Sequence, residues 1–268
     1  MILIDGRKAR EHFLPILQKR VKELSSIPTL AIIQVGNRPD SNSYIKAKKS
    51  FAEKIGVKEI HIQFNENVTK KEIIKKIEKF NKDKSVHGII VQLPLPKHLN
   101  SDEIINTIDP KKDVDGLTPN TSFIPATARG VFQLLDFYKI NLKGKNVVVI
   151  GRSKLVGIPI VEMCRKRGAK VSVCHSKTED IPSITKKADI VMVAIGQPKL
   201  LDEKYFSKGQ IVIDVGITRI GESLVGDVDF EKVKDIVKMI TPVPGGVGQM
   251  TVLSLFENLV DACYNDVI

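Results

Sequence analysis

Short apolar runs alternate with amphipathic segments along the first half of the chain. The strand-like runs are residues 29–35, 58–64 and 87–93. Apolar residues that recur at helical spacing predict helices between and around these runs. These predicted helices are residues 9–24, 69–82 and 101–108, with one more that begins at the capping residue Ser41. Because strands alternate with helices, the pattern predicts a parallel sheet covered by helices.

The alternation stops at residues 109–120, which are rich in Asp, Pro, Asn and Gly, and then starts again. The later strand-like runs are residues 145–150, 170–175, 189–195 and 210–216, and the later predicted helices are residues 130–138, 155–167, 181–188 and 251–264. This second set is typical of a dinucleotide-binding domain. The pattern as a whole predicts an α/β protein with two domains.

Composition narrows the class of protein. The chain has 268 residues, of which 42% are apolar and 27% are charged, as in ordinary globular proteins. No apolar run is long enough to span a membrane, and Asp5 follows the first apolar residues too closely for a secretory signal. The three cysteines are odd in number and lack metal-ligand spacing, so we expect free thiols in a reducing cytoplasm.

The net charge of +11 is compatible with an anionic partner. The lysines are scattered along predicted helices, and tryptophan is absent, so we expect no nucleic-acid partner. Small anions such as dinucleotides or polycarboxylates are better candidates. A generally lysine-rich surface without a specific role stays open as the simpler interpretation.

One helix carries residue types suited to chemistry. Tyr44 and Lys48 are four residues apart, so they share one face of the helix that follows the strand at residues 29–35. Ligands of open α/β sheets bind at the carboxyl ends of the strands. A flat ring held against Tyr44 would therefore lie close to the Lys48 amine. The alternative is a solvated amphipathic helix, because several other lysines lie in the same segment.

The second domain has a candidate phosphate loop between its first strand and helix. Gly151 permits a tight turn, and Arg152 and Ser153 offer donors to phosphate. At the tip of the next strand, Ser176 and Lys177 stand where enzymes that select NAD usually have a carboxylate, so this tip favours NADP. An ordinary turn and a solvated Lys177 stay open as alternatives.

Three further motifs occur in a particular order with the helix that carries Tyr44 and Lys48 and with the candidate phosphate loop. They are Val91-Gln-Leu-Pro-Leu-Pro96, Asp113-Val-Asp-Gly116 and Pro242-Val-Pro-Gly-Gly-Val-Gly248, with Gly151-Arg-Ser-x-x-Val-Gly-x-Pro159 between the last two. Together they closely resemble the bifunctional methylenetetrahydrofolate dehydrogenase/methenyltetrahydrofolate cyclohydrolase family over essentially the whole chain.

The resemblance implies a folate-binding catalytic domain and a Rossmann-like NADP-binding domain that face each other across a cleft. Residues 1–119 and 250–268 would form the first domain, and residues 120–249 the second. Lys48 matches the family's catalytic lysine, Gln92 the glutamine that hydrogen-bonds it, and Tyr44 the tyrosine that lies against the folate. Asp115 matches the aspartate that anchors the pterin.

Other matched positions concern the cofactor and the cleft. The implied NADP contacts are Gly151, Arg152, Ser153, Ser176 and Ile217, and the implied cleft residues are Gly245, Gly246 and Thr251. The resemblance implies oxidation of 5,10-methylenetetrahydrofolate with NADP⁺ and hydrolysis of the 5,10-methenyl product to 10-formyltetrahydrofolate. It also implies a homodimer, tetrahydrofolate derivatives as ligands, and no metal.

The chain departs from the family near the folate site. The loop at residues 117–125 is shorter, Ala126-Thr-Ala128 replaces the usual Cys-Thr-Pro, and Gln249 replaces the usual proline. The ratio of the two activities and the role of Gln249 therefore stay open. The strictness of NADP over NAD also stays open, because it rests on the tip of one strand. The alternatives are a dehydrogenase alone, a shikimate- or amino-acid-type dehydrogenase, and a non-catalytic nucleotide- or folate-binding module.

Overall fold

The structure is a computed structural model, which describes residues 1–265. Its first elements are β1 (Ile2–Leu3), α1 (Gly6–Lys22), β2 (Thr29–Val35), α2 (Pro39–Ile55), β3 (Lys58–Phe64), α3 (Lys70–Lys82), β4 (Gly88–Val91), α4 (Ser101–Ile105) and α5 (Ala126–Phe137). The later elements are β5 (Asn146–Ile150), α6 (Gly157–Lys166), β6 (Lys170–Cys174), α7 (Ile181–Thr185), β7 (Ile190–Val193), β8 (Ile211–Asp214), β9 (Thr218–Ile220), β10 (Ser223–Val225), α8 (Phe230–Val233), β11 (Met239–Ile240) and α9 (Val247–Asn265). No helix among the described residues is long and apolar enough to cross a membrane.

The chain forms two compact units. The three-stranded unit consists of His12–Ala126 and the segment from Val252 onward, and the six-stranded unit consists of Met1–Glu11 and Thr127–Thr251. Each unit contains a parallel sheet with helices between its strands. The predicted two-domain α/β fold class is confirmed.

The three-stranded unit is built around β2, whose seven residues are all buried. β3 and β4 pair with it in parallel on either side, in the order β3-β2-β4. Helix α3 covers the sheet with Ile73, Ile77 and Phe80, which pack into the same apolar cluster as β2 and β4. Thr69 caps this helix, because its hydroxyl accepts a bond from the Glu72 amide and its own amide bonds to the Glu72 carboxylate.

The start of α2 differs from the prediction. Ser41 does not cap the helix: it lies inside the first turns and is buried, while Arg38 occupies the capping position without a side-chain bond. The helix begins earlier because Pro39 has a φ angle suited to a first turn and lacks an amide that would need a partner. The earlier start leaves Tyr44 and Lys48 on the same face of the helix.

The six-stranded unit has a parallel sheet in the order β1-β11-β8-β7-β5-β6, and β9 and β10 form a separate antiparallel pair. β6 lies on one side of β5, and β7, which follows β6 in the chain, lies on the other side. The chain therefore adds strands outward in one direction from β5 and in the opposite direction from β7, while all the strands stay parallel. In doubly wound folds the ligand binds at such a switch point, outside the carboxyl ends of the strands.

The domain boundaries differ from the predicted ones at the amino terminus. Residues 1–11 were expected in the folate domain, whereas in the structure they belong to the six-stranded unit. The physical reason is that Ile2 and Leu3 pair with Met239 and Ile240 of β11. The other boundaries lie at Ala126 and Thr251 instead of residues 119 and 249. Residues 266–268 of the predicted range lie outside the described residues.

Ile77 provides a test of the core of the three-stranded unit. It is fully buried between α3 and the sheet, so Ile77→Ala removes apolar contacts and leaves a cavity. We expect a loss of about 2–5 kcal/mol in the free energy of unfolding of this unit, measured by urea denaturation. Ile16→Ala is the control, because Ile16 is 51% exposed and the expected change is about 0.5 kcal/mol or less. Equal losses in the two variants would contradict this packing.

Candidate active site and nucleotide-binding site

The three-stranded unit brings Lys48 of α2 to the carboxyl end of β4. The Lys48 Nζ donates to Gln92 Oε1 at 2.9 Å. Gln92 follows β4 directly, and its backbone amide donates to the Ile33 carbonyl at 2.8 Å. Its side-chain Nε2 donates to the Leu93 carbonyl at 2.8 Å. Because Nε2 has this acceptor, the amide turns its oxygen towards the lysine.

Asp115 belongs to the same electrostatic environment. Burial of the ammonium group lowers the pKa of Lys48, and the Asp115 carboxylate opposes this shift. Burial also raises the pKa of Asp115, with Lys48 opposing the shift and Asp113 adding to it. The structure therefore brings together three of the predicted residues, Lys48, Gln92 and Asp115. Tyr44 lies one helical turn before Lys48 and is 36% exposed, so its ring is accessible to a ligand.

The loop that carries Asp115 is held closed by its own polar groups. The buried carboxylate of Asp113 accepts bonds from the amides of Gly116 at 3.1 Å and Thr118 at 2.6 Å. Gly116 has a φ angle of +76°, and a side chain there would lie 2.7 Å from the Pro125 backbone. The Ala126 amide donates to the Asp115 carbonyl at 3.2 Å. The loop at residues 117–125 therefore returns directly to Asp115.

Asn258 of α9 holds the two sides of this loop. Its Nδ2 donates to the carbonyls of Val114 and Ile124, both at 2.9 Å, and the residue is fully buried. Neither Asp113 nor Asn258 stands out as a site residue from the sequence alone. A signal for Asn258 was present, because an amide in the middle of an apolar helix needs a buried partner.

In the six-stranded unit, the loop between β5 and α6 has the shape of a phosphate site. Gly151 has a φ angle of +117°, and a Cβ there would lie 2.1 Å from the Ala194 carbonyl oxygen. A Cβ on Gly157, the first residue of α6, would lie 2.4 Å from the Gly151 carbonyl oxygen. Only glycine fits at these two positions, and the loop leads into a helix amino terminus, where backbone amides favour anions.

The polar residues of this loop are suited to a phosphate. Ser153 Oγ accepts bonds from the amides of Val156 at 3.2 Å and Gly157 at 3.3 Å, which leaves its hydroxyl proton available to a phosphate oxygen. Arg152 is exposed beside it. The local geometry thus fits the pyrophosphate of a dinucleotide.

The tip of β6 is a tight turn with two exposed side chains. The Lys177 amide donates to His175 Nδ1 at 3.2 Å, and the His175 amide donates to Thr178 Oγ1 at 3.0 Å. Ser176 and Lys177 point away from the core at this turn, and no carboxylate occurs at residues 175–178. A hydroxyl and an ammonium group fit a 2′-phosphate better than a ribose 2′-hydroxyl.

The remaining predicted residues lie around the start of α9 in the six-stranded unit. The Gly6 amide donates to the Gly245 carbonyl at 2.8 Å, and a Cβ on Gly6 would lie 2.0 Å from the Gly246 carbonyl oxygen. Ile217 lies beside Gly248, and the Thr251 hydroxyl bonds back to the Val247 carbonyl. Their contacts with folate or NADP stay predictions.

A doubly wound unit with a glycine phosphate loop, together with a unit that holds a desolvated lysine, defines a two-domain nucleotide-dependent α/β enzyme. Comparison with known families agrees. The model described as tetrahydrofolate dehydrogenase/cyclohydrolase, catalytic domain, matches residues 4–115, and the NAD(P)-binding domain of the same family matches residues 125–267.

Individual relatives are similar over nearly the whole chain. A bifunctional protein FolD from Acholeplasma laidlawii is 47% identical over 96% of each chain. The structure of the bifunctional FolD enzyme from Campylobacter jejuni superposes with a TM-score of 0.95 at 43% identity, over 99% of each chain. The Trypanosoma brucei FolD structure, complexed with NADP cofactor and inhibitor, gives 0.94 at 33% identity over 100% of this chain and 98% of that one.

The chain belongs to the tetrahydrofolate dehydrogenase/cyclohydrolase family. The predicted family, enzyme class and NADP cofactor are confirmed. The alternative of a shikimate- or amino-acid-type dehydrogenase is therefore wrong.

The Lys48–Gln92 pair generates a test of the site's electrostatics. We expect Lys48 to titrate below its ordinary pKa of 10.5, because burial disfavours the ammonium form. In Gln92→Glu a carboxylate replaces the neutral acceptor, so the pKa of Lys48 should rise. Nuclear magnetic resonance titration of the lysine side chains measures both values, with Lys48→Met to assign the signal.

The lowered pKa of Lys48 should also make the free energy of unfolding of the wild type depend on pH. Since the folded pKa of Lys48 is the lower one, the unfolded chain binds more protons between the two pKa values, and this group makes stability rise with pH in that window. A Lys48 signal that titrates at the ordinary value, or an unchanged midpoint in Gln92→Glu, would contradict the proposed environment.

Proposed function

We propose that the three-stranded unit carries the folate chemistry on Lys48, Gln92, Asp115 and Tyr44, and that the six-stranded unit binds NADP. The enzyme oxidises 5,10-methylenetetrahydrofolate to the 5,10-methenyl form and hydrolyses that product to 10-formyltetrahydrofolate, a reaction sequence of one-carbon metabolism. The observation that supports the residue assignment is the 2.9 Å bond between a lysine of lowered pKa and a neutral amide.

In the dehydrogenase step the protein mainly has to align two reactants. Bound NADP⁺ supplies the acceptor for the hydride that leaves the methylene carbon. The resulting methenyl cation is stabilised by its own two nitrogens, so no protein group has to accept a proton. Tyr44 gives the folate a flat surface, and Asp115 anchors the pterin. Lys48 stays neutral beside the developing cation, because a positive substrate lowers its pKa further.

In the cyclohydrolase step Lys48 moves protons. The neutral amine takes a proton from the attacking water as the new C–O bond forms at the methenyl carbon. As an ammonium group it returns that proton to N5 while the bond between this carbon and N5 breaks. The hydroxyl proton of the intermediate leaves to solvent, and the carbon becomes the formyl group on N10. Gln92 orients the amine without fixing the proton there, as a carboxylate would.

The polar groups of the six-stranded unit would hold NADP at its pyrophosphate and at its 2′-phosphate. The backbone at Gly151 and the donors of Arg152 and Ser153 would bind the pyrophosphate. Ser176, with Lys177, would bind the 2′-phosphate, so we propose NADP over NAD. Ile217, Gly245, Gly246 and Thr251 would complete the surroundings of the cofactor and substrate.

We also propose a cytoplasmic homodimer that binds neither nucleic acid nor membranes. The dimer is inferred from the family resemblance. The expectation that no nucleic acid binds is inferred from the lysines, which are scattered along the helices. Light scattering of purified protein tests the dimer. Retention on a polyanion that fades steeply with salt would argue against the second expectation.

A dehydrogenase that has lost its second activity is the alternative. The shortened loop at residues 117–125 favours it, because a shorter loop covers the substrate less. A coupled assay with 5,10-methylenetetrahydrofolate and either NADP⁺ or NAD⁺ distinguishes the two. Nicotinamide reduction without methenyl accumulation supports both activities, methenyl accumulation supports the alternative, and no reduction with either nucleotide contradicts the proposed function.

Lys48→Met tests the role of the lysine. The variant keeps the volume of the side chain but has no group that can exchange a proton, so we expect cyclohydrolase turnover to fall by about a hundredfold or more while folate still binds. Hydrolysis of 5,10-methenyltetrahydrofolate and a direct folate titration measure the two effects. Lys46→Met on the exposed side of α2 is the matched control. Full cyclohydrolase turnover in Lys48→Met would contradict the assignment.

A further inference from the structure

Two buried carboxyl groups lie side by side in the six-stranded unit, outside the mechanism described above. Asp214 ends β8 and is 3% exposed, and Asp227 follows β10 and is fully buried. The Asp227 amide donates to Asp214 Oδ1 at 3.1 Å, so the two residues are direct neighbours.

Both side chains accept hydrogen bonds from backbone amides. Asp227 Oδ2 accepts bonds from the amides of Ile195 at 2.6 Å and Gly196 at 3.0 Å. Asp214 uses both oxygens: Oδ1 accepts from Gly216 at 3.0 Å as well as from Asp227, and Oδ2 accepts from Val228 at 2.9 Å. The pair therefore ties together the segments that follow β7, β8 and β10.

These segments border the switch point of the sheet. Ala194 immediately precedes Ile195, and its carbonyl oxygen would lie 2.1 Å from a Cβ on Gly151. The backbone that Asp227 holds is therefore in contact with the candidate phosphate loop. Gly216, which Asp214 holds, directly precedes Ile217, a predicted cofactor contact.

We infer that Asp227 and Asp214 are positioning residues that set the backbone of the dinucleotide pocket at the ends of β7 and β8. This inference rests on the proposed binding of NADP by the six-stranded unit. Neither residue needs to touch the cofactor. They act through the amides of Ile195, Gly196 and Gly216, whose positions decide the shape of the pocket wall.

The surroundings are shaped to these carboxyl groups. A Cβ on Gly216 would lie 2.2 Å from Asp227 Cγ, and a Cβ on Gly226 would lie 1.9 Å from Asp214 Oδ2. Burial, with the charge of Asp227 adding to it, raises the pKa of Asp214 to about 7 although backbone amides oppose the shift. Keeping two acids together in the core is unfavourable, which argues for a role beyond filling space.

The two residues differ in a way that substitutions can test. Asp227 uses only Oδ2, and its Oδ1 has no hydrogen-bond partner among residues 1–265. An asparagine there keeps an acceptor for both amides. Asp214 accepts on both oxygens, so Asp214→Asn must turn an NH₂ group towards a backbone amide. We therefore expect asparagine to be tolerated better at position 227 than at position 214.

The experiment is a fluorescence titration of each purified full-length variant with NADPH, combined with steady-state kinetics of both activities. We expect Asp227→Ala to raise the Kd for NADPH and the KM for NADP⁺ by about tenfold or more, because two buried amides lose their acceptor. Asp227→Asn should lose less affinity than Asp227→Ala, and Asp214→Asn should lose more than Asp227→Asn. Hydrolysis of 5,10-methenyltetrahydrofolate without nucleotide reports on the three-stranded unit and should stay within about twofold of wild type.

Glu231→Ala is the matched control, because its exposed carboxylate forms a surface ion pair with Lys234 and its loss should leave the Kd unchanged. A purely structural role would lower the active fraction and leave the Kd of the folded fraction at the wild-type value, which would overturn the inference. If Asp227→Ala does not fold, the two asparagine variants decide: equal affinities overturn the inference. A wild type that does not bind NADPH would instead overturn the proposed function.

Discussion

A half-buried lysine with a neutral hydrogen-bond partner is the constraint on which the proposed folate site depends. Removing the ammonium group of Lys48 from water favours the neutral amine, which is the form that can accept a proton. Gln92 supplies an acceptor without a charge, and Asp115 limits the shift by stabilising the ammonium form. In the proposed mechanism, the balance of these three effects would allow one lysine to take up and release a proton in the same turnover.

Side chains that bond to backbone groups support the loops around both predicted sites. In the three-stranded unit, Asp113 and Asn258 satisfy amides and carbonyls of the loop that carries Asp115. In the six-stranded unit, Asp214 and Asp227 do the same for the segments beside the phosphate loop. Buried backbone groups must find partners, so a short loop without regular structure takes them from side chains. These side chains support the backbone and have no catalytic role in the proposed mechanism.

The long elements could be predicted, and the two-residue strands could not. β2 and α3 have enough residues for a buried run or a helical period to be visible, and the structure has them within a residue of the predicted bounds. β1 and β11 have two residues each, too few to show any period, although their pairing moves the first eleven residues into the six-stranded unit. The start of α2 was misplaced because Ser41 is a good capping residue, while Pro39 determines where the helix begins.

The sequence by itself determined the fold class and the family, because hydrophobic period and motif order are local properties of the chain. It also predicted Lys48, Gln92, Asp115 and the phosphate loop as parts of the site. Only the tertiary structure decided which groups surround them. The pKa of Lys48 depends on burial by residues far apart in the chain, and the roles of Asn258 and Asp227 depend on amides and carbonyls brought to them by folding. Burial and long-range hydrogen bonds are properties of the folded chain, because they form between residues that are far apart in the sequence.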